Sequence, residues 1–126
     1  MTTWLMVALG GALGAIGRYG LSVWLAPQPG KFPFATFCAN VLGCFVMGVF
    51  YMLIVNRAMI PVTWRPFLTV GLLGAFTTFS TFSLEAFWLW QHQQFSLAAV
   101  YVAATLAACM VAVWMGYYLC GILIPS

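Results

Sequence analysis

Long apolar runs alternate with short polar connections along the whole chain. The runs cover Trp4–Leu25, Phe32–Val55, Phe67–Trp90 and Ser96–Ile124. Each reaches the roughly 20 residues that a helix needs to cross a hydrocarbon core about 30 Å thick. Breaker residues mark the first two connections: Pro27, Pro29 and Gly30 in one, Pro61 and Pro66 in the other. The third, Gln91-His92-Gln93-Gln94, is polar and nearly uncharged. Trp64, Trp88 and Trp90 fall near run ends, where indole rings favour the water–lipid boundary. The pattern predicts an all-α membrane protein with four transmembrane helices in one domain over residues 1–126.

Composition agrees with the pattern. Of 126 residues, 65% are hydrophobic and 4% charged, too few polar groups to cover a soluble domain. A secretory signal would carry basic residues before its apolar core and precede a more polar chain. Met1–Thr3 has none, and the chain downstream is as apolar as its start. The net charge of +3 comes from Arg18, Lys31, Arg57 and Arg65 against Glu85. Those cations are too few and too scattered for a nucleic-acid surface. Cys38, Cys44, Cys109 and Cys120 all lie in the runs and form no CxxC pair, and so read as packing residues.

Basic residues in short loops set orientation. Arg57 and Arg65 share the side of the termini and the second connection, while Lys31 stands alone on the other. Two against one permits insertion in both orientations. Small residues recur four apart, as Gly10 and Gly14 and as Ala104, Ala108, Ala112 and Gly116. Such stripes let helices approach closely in lipid, either within a subunit or between subunits.

Polar groups inside apolar runs are costly and therefore informative. Arg18 in the first run either snorkels to an interface or makes an electropositive vestibule. Glu85 would pair with Arg18, cap freed amides or carry a proton. Asn40 brings two N–H donors, suited to interhelical bonding or to a dehydrated anion, with Thr36 one turn away. Gly71–Ser83 holds two glycines, then five hydroxyl residues and three phenylalanines. Hydroxyls bonding to the preceding turn would keep a helix intact. The sharper reading is a break near the membrane middle that frees carbonyls for a hard cation such as Na⁺. Phe79 and Phe82 share a helical face, and a ring edge carries partial positive charge that can meet an anion. Tyr101, Thr105 and Cys109 make a polar stripe beside the small-residue stripe of the last run.

Together, Gly-Ala-x-Gly-Arg-Tyr in the first run, Asn40 in the second and Gly-Ala-Phe-Thr-Thr-Phe-Ser-Thr-Phe-Ser in the third resemble the small bacterial fluoride channels called the Fluc family. The likeness covers the whole chain, and the third motif is the specific one. It implies a multi-pass protein of the bacterial inner membrane, an antiparallel dual-topology homodimer with a broken third helix. It implies fluoride as the permeant ion, leaking passively from the cytoplasm and so lowering its toxicity. A structural Na⁺ that is not transported would be held by the carbonyls of Gly74 and Thr77. Asn40, Phe79, Phe82, Tyr101, Thr105 and Arg18 would make the fluoride pathway. At Cys109 the family pattern leads one to expect serine. The partners implied are fluoride, an antiparallel copy of the chain and the lipid bilayer, with no nucleic acid.

No catalytic constellation is present, so the chain is not expected to be an enzyme. The main alternative is a small dual-topology multidrug/proton antiporter, which needs a membrane carboxylate, typically early in the chain. Here the first run carries Arg18 instead. A non-transporting assembly subunit would leave the polar stripe unexplained.

Overall fold

The computed structural model describes residues 1–125, all of them helix or connection, with no strand among the described residues. Helix α1 spans Thr2–Trp24, and α2 spans Phe34–Asn56, its last turns widened so that the Arg57 amide bonds to the Met52 carbonyl. A tight turn at Val62–Trp64 leads into α3, residues 66–76. Helix α4 covers Phe79–Gln91 and α5 covers Phe95–Leu123. Four stretches are long and apolar enough to cross a membrane: Thr2–Trp24, Phe34–Asn56, Val62–Gln91 and Phe95–Leu123.

The third stretch begins at Val62 and not at the expected Phe67. Pro66 reads as a helix breaker in the sequence, but it sits in the first turn of α3. There a missing N–H costs nothing and the fixed φ suits the helix. The turn before it closes with Trp64 N–H on the Pro61 carbonyl at 3.0 Å.

Two pairs of helices run side by side, α1 with α3 and α2 with α5, and α4 leans on α5. Glycines set both seams. A Cβ on Gly10 or Gly14 would strike the backbone of α3 at Phe67 or Leu72. One on Gly71 would come within 2.7 Å of the Val7 carbonyl. In the other pair, Gly48 lies against the Val113 carbonyl and Gly116 against that of Phe45. Of the two interfaces open to the small-residue stripes, Gly10, Gly14, Ala112 and Gly116 are therefore spent within the subunit.

The close seams matter because lipid tails are as apolar as leucine, so helices gain from contact distance and not from escaping water. A small core of Phe82, Leu89, Ala98 and Tyr101 joins α4 to α5. Large apolar side chains such as Trp4, Leu13, Val70, Trp114 and Ile122 face outward, as suits a hydrocarbon solvent.

Candidate functional site

The helical path stops after Phe76 and resumes at Phe79. Thr77 (ψ 156°) and Thr78 (φ −152°, ψ 120°) are extended. The sequence explains both edges. At the end of α3 the Thr77 amide and hydroxyl both donate to the Leu73 carbonyl, at 3.0 and 2.9 Å. At the start of α4 the Thr78 hydroxyl accepts from the Thr81 amide at 3.2 Å, an N-cap of the usual kind.

Side chains from the other helices then take up the freed backbone. Asn40 on α2 donates through Nδ2 to the Thr78 carbonyl at 3.0 Å, and its Oδ1 accepts from the Thr78 amide at 2.7 Å. One amide thus satisfies both polar groups of one residue. Arg18 on α1 donates through Nε to the Ala75 carbonyl at 3.1 Å. That places a cation at the C-terminal end of α3, the favourable end of the helix dipole.

Besides that of Ala75, the carbonyls of Gly74, Phe76 and Thr77 lose their helical donors. In a continuous helix Gly74 would accept from Thr78 N–H and Thr77 from Thr81 N–H. The first donor goes to Asn40 and the second to the Thr78 hydroxyl. Gly74 is exposed and Thr77 half-buried.

Glu85, one and a half turns along α4, is held by hydroxyls. Thr36 donates to Oε1 at 2.8 Å and Tyr101 to Oε2 at 2.6 Å. Of the roles open to Glu85, pairing with Arg18 is not the one adopted, although both line one cavity. That cavity, of about 320 Å³, is also lined by Thr36, Thr78 and Thr81. It runs from Ser22, Pro27 and Pro33 to the interruption, where Arg18 and Thr78 line it.

The aromatic pair straddles the surface. Phe79 and Phe82 have ring centroids 5.4 Å apart, yet Phe79 is 73% exposed and Phe82 only 5%. Phe82 continues inward to Tyr101 at 5.2 Å, and Tyr101 is fully buried. Thr105, one turn further along α5, is buried with no partner for its hydroxyl. The structure therefore gathers Arg18, Asn40, Gly74 and Thr77 at the interruption, and Phe82, Tyr101 and Thr105 along α5. Phe79, packed on Phe82 and next to the interruption, is the one of these residues whose ring is largely exposed.

Sequence reasoning passed over Thr78, Ala75 and the Thr36–Glu85–Tyr101 clamp as a unit. Thr78 had a usable signal, since Thr78-Phe79-Ser80-Thr81 is a hydroxyl followed three residues later by the amide it caps. Asn40 was expected to offer two N–H donors, and one of them is spent on Thr78.

Replacing Asn40 by leucine removes two hydrogen bonds and leaves the Thr78 amide and carbonyl unpaired. We expect a loss of about 1–3 kcal/mol for each stranded group. Amide hydrogen exchange at Thr78 in detergent-solubilised protein should quicken sharply, with a lower thermal midpoint. Unchanged exchange at Thr78 would show that Asn40 does not hold the interruption.

Comparison with known proteins now bears on this arrangement. The family model described as "CrcB-like protein, Camphor Resistance (CrcB)" matches residues 5–117. A protein of Saccharophagus degradans named "Fluoride-specific ion channel FluC" is 53% identical over 110 residues, covering 87% of this chain and 83% of that protein. One of the same name from Opitutus terrae is 42% identical over 120 residues, covering 93% and 91%. Another from Aeromonas salmonicida is 40% identical over 120 residues, covering 94% and 96%. These matches include α1, α2, the interruption and most of α5, and on them the chain belongs to the CrcB family.

Proposed function

We propose that this chain is a fluoride-selective anion channel that lets cytoplasmic fluoride leak passively across the bacterial inner membrane. The observation that carries the reading is its 53% identity, over most of its length, to a relative named as a fluoride-specific ion channel. The family is one of channels, not of enzymes.

Fluoride is compact and strongly hydrated, so a path must replace water with small donors while lacking a fixed cation that would trap the ion. Asn40 keeps one N–H beyond the bond to Thr78. Thr105 keeps its hydroxyl unpaired although only 4% exposed. Phe79 and Phe82 present ring edges, each a weak donor. Weak contacts in series allow release as readily as entry. Arg18, which lines the shared cavity beside the interruption, draws anions inward.

The working unit in this reading is an antiparallel homodimer of two oppositely inserted copies, with the interruption near the membrane middle. Arg57 and Arg65 against Lys31 give a loop bias weak enough for both orientations. Phe79, exposed beside the interruption, is where a second copy would supply cover. The carbonyls of Gly74 and Thr77, stripped of their helical donors, fit a hard monovalent cation. They would hold a structural Na⁺, which serves as scaffolding and does not permeate.

Phe79→Ile removes a ring edge from an exposed site and should cost little stability, yet fluoride efflux from liposomes, read with an electrode, should fall steeply. Phe82→Ile should do the same once flux is normalised to folded protein, because Phe82 is buried against Tyr101. Asn40→Asp, replacing a donor with an acceptor, should block fluoride almost completely. Wild-type rates in Phe79→Ile and Asn40→Asp would reduce these residues to packing.

Exhaustive exchange of the purified protein from Na⁺ into a large organic cation should inactivate it slowly. Thr77→Ser, which keeps the backbone ligand, should stay close to wild type. Transport that survives the exchange unchanged rules out the cation.

Several lysines placed in residues 91–94, whose side chains are largely exposed, should force one orientation and abolish efflux. Co-expression with an oppositely biased copy should restore it. A biased copy that works alone would refute the antiparallel dimer.

A further inference from the structure

The connection between α1 and α2, residues 25–33, forms a strap with an anchor on each side of Lys31. The Lys31 amide donates to the Gln28 carbonyl at 3.1 Å and closes a turn. Gly30 takes φ 78°, in the left-handed region that favours glycine. A Cβ there would come within 2.9 Å of Gln94 Nε2, at the start of α5. On the other side, the Phe32 ring stands edge-on to Tyr101 with centroids 5.3 Å apart. Between the strap and α4 lies a second cavity of about 280 Å³, with Lys31 and Gln28 on one wall and Trp88 and Leu89 on the other. It shares Pro27, Pro33 and Glu85 with the cavity that reaches the interruption, so the two meet at Glu85. Among the described residues, Lys31 is the one cation lining the outer cavity and Arg18 the one lining the inner. At the junction both Glu85 oxygens accept hydroxyl protons, from Thr36 and Tyr101. Those donors are spent, so a cation on the outer side has to bring an anion that far.

We propose that Lys31 and the cavity between the strap and α4 form an outer collecting site for small inorganic anions, which feeds the path past Glu85 toward Arg18. The proposal rests on the channel reading above and supplies its entrance. The other walls are Trp88, Leu89 and three prolines, apolar surfaces that focus the field of a single cation into the opening. An ammonium is a compact point charge with rotatable donors and no planar fork. It therefore gathers small anions without choosing among them, and selection falls to the donors beyond the junction. Collection by charge speeds encounter and fades as salt screens it.

The test is fluoride efflux from liposomes at two ionic strengths, about 10 mM and about 1 M, between which the Debye length shrinks from about 30 Å to about 3 Å. The quantity read is the ratio of low-salt to high-salt efflux within one batch of protein. Lys31 also weighs in the loop charge balance that sets orientation, and this ratio does not depend on how many channels assemble. Wild type should be several-fold faster at low salt. Lys31→Gln should lower the ratio several-fold, Lys31→Arg should keep it, and Lys31→Glu should invert it, so that salt speeds efflux. An unchanged ratio in Lys31→Gln would overturn the site. So would full recovery in the double variant Lys31→Gln with Gln91→Lys, which restores the loop balance from an exposed position outside the cavity. General surface charge would then suffice. Absence of efflux from wild type at both salts would instead overturn the channel reading, and the collecting role with it.

Discussion

Inside hydrocarbon a backbone amide or carbonyl has no water to turn to, so any departure from the helix must be satisfied by the protein itself. The helical path lapses between Phe76 and Phe79, within a stretch long and apolar enough to cross a membrane, and several of the freed groups find separate partners there. The Leu73 carbonyl takes the amide and hydroxyl of Thr77, and the Ala75 carbonyl takes Arg18. Thr78 gives both its polar groups to Asn40 and caps Thr81 with its own hydroxyl. A break made this way is a defined conformation with few alternatives, since slipping it by one residue would strand Asn40 and Arg18 together.

The seams of the fold follow from those two side chains. Arg18 reaches Ala75 only because α1 lies against α3 at a distance that a Cβ on Gly10 or Gly14 would forbid. Asn40 reaches Thr78 because α2 passes equally close. A Cβ on Gly43, one turn beyond Asn40, would strike the Thr77 methyl. The glycines thus have a purpose beyond dispersion contacts. They bring two long polar side chains within bonding range of a backbone that no local donor can serve.

Much of this was legible in the sequence, and the rest was hidden for physical reasons. Length and apolarity locate the four crossing stretches, because bilayer thickness leaves little freedom. The third stretch reaches back to Val62 through the turn at Val62–Trp64, and Pro66 is accommodated in the first turn of α3. Asn40 stood out as a lone amide, but its partner Thr78 lies far along the chain, and nothing local reports that distance. Glu85 and Arg18 invited pairing because they are opposite charges in an apolar chain. Charge alone does not fix geometry, and the helix register brings Thr36 and Tyr101 to the carboxylate while the end of α3 claims the guanidinium.

That division of partners shapes what the site can do. An ion pair between Arg18 and Glu85 would cancel both charges and leave the cavity between them electrostatically bland. Instead Glu85 is held by two hydroxyls and Arg18 by one carbonyl, so neither group is spent on the other. The carboxylate has a second effect, because it engages the proton that Tyr101 would otherwise offer. Tyr101 cannot donate to Glu85 and to a passing anion at once, and at 2.6 Å the carboxylate holds it firmly. Donors for an anion in this conformation must therefore come from groups that Glu85 does not occupy. Asn40 has a spare N–H and Thr105 a hydroxyl with no other bond, and they stand on the two helices that Gly48 and Gly116 bring into close contact.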